Sequence, residues 1–261
     1  MEKAILINRV NDLTDEAKEY DSVYFGTEFC PWLLPTPGDL KKVSDFCTLN
    51  NKRLVLLTPW VTDSGLDAVQ RLLSDHLDGG SELEVVVNDI GVMKMISEEF
   101  GNKVSMTAGR LLSNQRRDPR TLPLKEIGSD ALYDHYQHSS FDHIPVLEYL
   151  KSFGVNRVEI DNLVQGIKIP AEIKDTSFSL YYPYNYITVT RNCEFCYENR
   201  SWQNKTKCKK QCINSMLELR CDEIDEPLYL KGTAIFIKND AVSVEDLPAI
   251  DRLVYTPRIP I

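Results

Sequence analysis

Four cysteines fall within twenty residues, in the segment RNCEFCYENRSWQNKTKCKKQC: Cys193, Cys196, Cys208 and Cys212. Thiolates bind soft or borderline metals, and four of them satisfy either a zinc ion or an iron–sulfur cluster. The Cys-x3-Cys pair at 208 and 212 lies on one helix face or in one tight turn, so both sulfurs can reach one centre. Lys205, Lys207, Lys209 and Lys210 crowd the same stretch. Their charge favours the thiolate form and offsets the negative charge of a thiolate-bound metal. Local spacing alone reads as a zinc knuckle, Cys-x2-Cys…Cys-x3-Cys, with Cys196 among the ligands; it does not separate zinc from iron. Cys47 lies on the apolar face of a predicted helix and Cys221 beyond the cysteine-rich segment, so both read as core or incidental thiols.

A second group is cationic. Arg110, Arg116, Arg117 and Arg120, with Asp118 among them, form a run whose guanidinium groups can hold a carboxylate or phosphate by paired hydrogen bonds. The alternative is a solvated loop with local ion pairs. Asn88 and Asp89 end a predicted strand, where they can orient a ligand or cap the following helix. Glu28 precedes Cys30 by two residues and can act as an acid/base group or stand as a surface carboxylate, and Glu159 and Asp161 are read the same way. His135, His138 and His143 have usable ligand spacing, but their segment shows no clear helix or strand and is expected to be a mobile loop. His76 falls within a predicted helix. No HExxH, GxSxG or Cys–His nucleophile pattern stands out, so a hydrolytic peptidase site is not expected.

These residues need elements to position them. The chain has 261 residues, 43% of them hydrophobic, close to the ~250 that a (β/α)-barrel requires. Strand-like runs at residues 4–8, 23–26, 53–59, 82–88, 104–110 and 157–161 alternate with helical periodicity at 37–51, 64–77, 91–100 and 145–153. Such alternation implies parallel pairing and right-handed crossovers. The predicted fold is a TIM-like (β/α)-barrel, irregular in its last third, with an open doubly wound sheet as the alternative. In that third an aromatic run at 177–190 and an alternating run at 228–239 flank the cysteine-rich insert. No linker or repeat divides the chain, so one domain over 1–261 is expected. Cys30, Asn88 and Arg110 all follow predicted strands, at the end where barrels build active sites.

The net charge of −9 disfavours a nucleic-acid backbone as partner. The N-terminal MEKAILINRV lacks the apolar run of a secretory signal, and no stretch approaches the ~20 apolar residues of a membrane span. A cytoplasmic setting is expected, in which cysteines serve metals or catalysis before disulfides.

Several phrases resemble the peptidase U32 family: VYFG at 23–26, PGDL at 37–40, VVNDIGV at 86–92, GRLLSNQRRDPR at 109–120, TRNC at 190–193 and LYLKGTAIFIKN at 228–239. The chain is most similar to the short single-domain members that act in oxygen-independent ubiquinone hydroxylation. That resemblance implies a [4Fe–4S] cluster on Cys30, Cys193, Cys208 and Cys212, with Cys196 left over as an alternate ligand. It also implies a heterodimer with a UbiU-like member of the same family and a small aromatic quinone precursor as substrate. Some relatives hydroxylate RNA bases instead. Because GRLLSNQRRDPR is part of the pattern, Arg110, Arg116 and Arg117, with Asn88 and Glu28, are the expected substrate-side residues.

Overall fold

A computed structural model describes residues 1–80, 82–196, 208–245 and 247–261. Eight strands form a closed, all-parallel barrel: β1 (Glu2–Ile7), β2 (Ser22–Gly26), β3 (Arg53–Leu57), β4 (Leu83–Val87), β5 (Val104–Ala108), β6 (Arg157–Asp161), β7 (Ser177–Tyr182) and, after an excursion, β12 (Ile250–Tyr255), which pairs with both β7 and β1. The expected barrel is therefore present. Strand alternation explains its layers. Ile5, Val23, Phe25, Leu56, Val85, Val158 and Leu180 belong to the large outer core under the helices. Their neighbours Ala4, Leu6, Tyr24, Val55, Leu57, Val86, Tyr181 and Val254 form a separate cluster inside the barrel.

The helices are α1 (Pro37–Leu49), α2 (Asp63–Leu77), α3 (Ile90–Glu99), α4 (Leu124–Ile127), α5 (Asp130–His135) and α6 (Ile144–Lys151). α1 buries Leu40, Val43 and Cys47, and α2 buries Val69, Leu72, Leu73 and Leu77, the helical spacings that place one stripe on the barrel. Asp89 caps α3 by accepting from the N–H groups of Gly91 and Val92, which settles its role in favour of the cap. The stretch expected to be a mobile histidine loop instead contains α5. Ser129 caps it by accepting from Leu132 N–H, and Lys168 pairs with Asp134 on it.

The last third departs from the repeating pattern. Residues 162–176 contain neither helix nor strand. The aromatic run 177–190 is not one strand: Pro183, which has no N–H to offer a ladder, separates β7 from β8 (Tyr184–Val189). With β9 (Leu217–Cys221), β10 (Ile224–Lys231) and β11 (Ala234–Lys238), β8 forms an antiparallel sheet of order β8-β11-β10-β9. This sheet occupies the crossover between β7 and β12 and stands beside the barrel's C-terminal mouth.

Candidate metal centre

The chain leaving β2 reaches Cys30 through a tightly held loop. Gly26 ends the strand at φ 131°, and a Cβ there would run into the Leu57 carbonyl on β3, so only glycine permits the approach. The next residues, Thr27, Glu28, Phe29 and Cys30, are all buried. Arg110, fully buried after β5, grips the Glu28 carboxylate with Nε at 3.1 Å from both oxygens and Nη2 at 2.7 Å. Phe29 meets Phe236 and Tyr186 edge-on, at 5.1 and 5.3 Å between ring centres. Its carbonyl accepts from Thr233 Oγ at 2.7 Å. Barrel and sheet thus hold the loop between them, and the next side chain along it is Cys30.

The other thiols come from the sheet side. Cys193 follows β8, Cys196 ends a short 3-10 turn, and Cys212 lies in another over Gln211–Ile213. Lys210, left-handed at φ 58°, donates its backbone N–H to Cys208 Sγ at 3.4 Å. Gly232, in the β10–β11 turn at φ 62°, brings the hairpin so close that a Cβ would overlap Ile261 and stand 3.7 Å from Cys212 Cβ.

Five sulfurs interact here. The Cys193 thiol donates to Cys212, which holds Cys212 below the ordinary thiol range and raises Cys193. Burial first, and then contact with Cys193 and Cys208, raises Cys196. Burial pushes Cys30 up to about 11, and the backbone N–H groups of Trp32 and Leu33 partly oppose this while Cys193 and Cys208 add to it. Cys30 and Cys196 are raised chiefly by burial and then by neighbouring sulfurs, and Cys193 chiefly by its bond to Cys212; a nearby positive charge would relieve that cost. Amide N–H donors to sulfur also occur at Cys30 and Cys193, as a thiolate-held cluster uses them. In its chemistry the donor set is the kind a thiolate-bound metal group uses. Among the described residues, no group of three or more Cys, His, Asp or Glu side chains is arranged to hold a metal ion.

The remaining candidate residues separate into two groups. Arg110, Arg117 and Glu28 meet in one buried network. Arg110 Nη1 donates to Asp161 at 2.7 Å and to the Tyr184 carbonyl at 3.2 Å, while Arg117 Nε donates to Asp161 at 2.9 Å. The Arg117 guanidinium lies 4.0 Å from the Tyr186 ring centre and that of Arg110 4.1 Å from Tyr181. Burial raises the Glu28 carboxyl, opposed by Arg110. These arginines bind carboxylates, as their spacing suggested, but the carboxylates are the protein's own. Asn88 links strand ends, donating to the Thr58 carbonyl at 3.0 Å and accepting from Leu111 N–H at 3.1 Å; Gly109 has no Cβ because Asn88 fills that space.

Other candidates lie outside this network. Arg116 is exposed, with its carbonyl held by Gln165, and Arg120 pairs with Asp118 on the surface. His138 bonds Asp142 at 2.7 Å, while His135 meets Tyr136 edge-on and His143 immediately precedes α6. Cys47 is buried in α1 and Cys221 is exposed on β9, neither of them among the five sulfurs. Lys205 and Lys207 lie outside the described residues.

Sequence reasoning missed the barrel's polar interior. Arg252 on β12 bonds Tyr24 at 2.7 Å and Glu84 at 2.6 Å, and Tyr181 donates to Glu159 at 2.7 Å. Period-2 placement of these residues opposite outward-facing aliphatics was the available signal.

No family model matches the sequence, and no curated protein matches it. Solved structures do. The U32 peptidase Mk0906 is similar over 100% of this chain and 94% of its own, with a TM-score of 0.50 and 9% identity. A glycoside hydrolase family 18 N-acetylglucosaminidase from Paenibacillus barengoltzii is similar over 97% of this chain and 94% of its own, at a TM-score of 0.39 and 10% identity; that likeness carries no argument. The first shows a U32-peptidase-like barrel, and at 9% identity it shows the fold alone.

Proposed function

We propose that this chain is an iron–sulfur protein that holds a [4Fe–4S] cluster on Cys30, Cys193, Cys208 and Cys212 at the barrel mouth. In this reading it acts in the cytoplasm in an oxygen-independent hydroxylation of a small aromatic quinone precursor, paired with a UbiU-like partner, as UbiV-like proteins do. One observation carries the reading: Cys30, delivered by the end of β2, interacts with Cys193, Cys208 and Cys212, which arrive from the far end of the chain. Bound there, the cluster would supply electron transfer or a site that holds and activates the oxygen donor. The chain's own residues hold it. Glu28 and Arg110 fix the loop that presents Cys30, and Phe29, Tyr186 and Phe236 exclude water from the barrel side. The peptidase name of the structural neighbour is not carried over, because no nucleophile–base pair or open hydrolytic metal site is built among the described residues.

A second reading is a zinc-stapled scaffold on Cys193, Cys196, Cys208 and Cys212. The observation favouring it is that Cys196 is buried and touches both Cys193 and Cys208. Anaerobic purification separates the two. The iron–sulfur reading expects a brown protein with about four iron and four sulfide per chain, lost in Cys30→Ala and retained in Cys196→Ala. A colourless protein with one zinc, kept in Cys30→Ala and lost in Cys196→Ala, rejects it. Quinone and modified-RNA levels in a deletion strain distinguish a quinone precursor from an RNA base as the substrate.

A further inference from the structure

We propose that the pocket between the loops after β1 and β2 and the end of β10 binds a small organic carboxylate with an apolar body, next to the thiol group. The inference deepens the iron–sulfur reading by naming a ligand class beside the centre, and it rests on that reading only for what the ligand does there.

The cavity holds about 280 Å³, near the lower end for small-molecule sites and too small for a macromolecule. Arg9, Lys210, Lys231 and Arg258 line it against Asp12 and Asp39, a local excess of positive charge in a chain whose total is −9. Both carboxylates are already engaged. Asp12 accepts from Arg9 and Arg258, each at 2.8 Å. Asp39 accepts from the Thr36 hydroxyl at 2.7 Å and lies in the first turn of α1, where the helix dipole favours it.

Lys210 and Lys231 are thus left without a carboxylate among the described residues. Lys210 is exposed. Lys231 is half-buried, and its ammonium reaches the Ile259 carbonyl at 3.3 Å, leaving two of its three donors for a ligand. An ammonium withdrawn from water in this way is costly unless an anion meets it. The rest of the lining includes Phe25, Leu33, Leu34 and Ile213, an apolar wall that inorganic phosphate would leave unused and that a carboxylate's hydrocarbon part would cover. The competing account is that Lys231 serves only to balance Cys212.

Calorimetric titration of the anaerobically purified full chain tests this with benzoate, benzyl alcohol and inorganic phosphate, with iron and zinc measured in every sample. Benzoate should bind and benzyl alcohol should not. Lys231→Met should weaken benzoate about tenfold or more with metal content unchanged, Lys231→Arg should restore most of it, and the exposed Lys210→Ala should weaken it without affecting folding. Phosphate binding without benzoate binding overturns the ligand class. Benzoate affinity unchanged in both Lys231→Met and Lys210→Ala overturns the site. Joint loss of metal and benzoate binding in Lys231→Met assigns that lysine to the metal centre and also overturns it. Lysine-dependent benzoate binding by a protein that lacks iron upholds the pocket while rejecting the iron–sulfur reading.

Discussion

Glu159 shows how much a single side chain can report about the barrel interior. It is fully buried on β6 among Tyr24 and Tyr181. One carboxyl oxygen accepts from Tyr181, and the other has no hydrogen-bond partner. Burial, reinforced by Glu28, pushes its carboxyl up to about 8. Its ordinary value is 4.5, so the folded state binds a proton that the unfolded chain has released. The sign follows: Glu159 costs nothing below pH 4.5, erodes stability as pH rises from there to about 8, and has a constant cost above that. Glu159→Gln should therefore raise stability by roughly 1–3 kcal/mol at pH 8 and change it little at pH 4.5. Urea denaturation at the two pH values measures this, and a larger gain at the acid end would refute it. The sequence shows a charged residue in a strand; that it faces a lumen whose arginine, Arg252, bonds Tyr24 and Glu84 instead depends on seven other strands.

At the level of elements, two glycines illustrate why position matters more than type. Gly26 and Gly232 both have positive φ, yet their surroundings differ. A Cβ at Gly26 meets the backbone of Leu57, which cannot move without distorting the β2–β3 pairing. A Cβ at Gly232 meets the tip of the Ile261 side chain, which can turn aside. Gly232→Ala should then cost roughly the 1–2 kcal/mol of a left-handed alanine, while Gly26→Ala should cost more and displace Cys30. Thermal unfolding together with iron content checks both, and equal effects would contradict the account.

Elements of this kind were partly legible. The six strands and four helices of the regular β/α part followed from apolar periodicity, because each buries one clean face. β12 did not. Its inward residue is Arg252, so IDRLVY lacks the apolar alternation that marks a half-buried strand. β9 is largely exposed on both faces and carries almost no hydrophobic signal. Cys30 had no local pattern at all. Its connection to Cys193, Cys208 and Cys212 arises only when barrel and sheet meet, which is why resemblance proposed the set and spacing proposed another.

For the molecule as a whole, the thiol group joins parts that the backbone does not join closely. A ligand that binds only the folded chain adds its binding energy to stability. On the iron–sulfur reading proposed above, stripping the metal should lower the unfolding midpoint by about 5 °C or more. It should also make Cys30, Cys193, Cys208 and Cys212 alkylatable while Cys47, packed in α1, stays protected. Mass spectrometry after alkylation reads this directly, and labelling of Cys47 in step with the others would mean that the barrel itself had opened.

The parallel pairing of β1 with β12 has a consequence for synthesis. A chain emerging from the ribosome exposes β1 and Cys30 at the start, yet β1 has no second neighbour until residues 250–255 have been made. Cys30 likewise waits for Cys193, Cys208 and Cys212. Barrel closure and sulfur assembly are both late events, but the sulfurs are complete once Cys212 has been made and the barrel only after β12. Nascent chains arrested between Cys212 and β12 should keep an unsatisfied strand edge although all four sulfurs have been made.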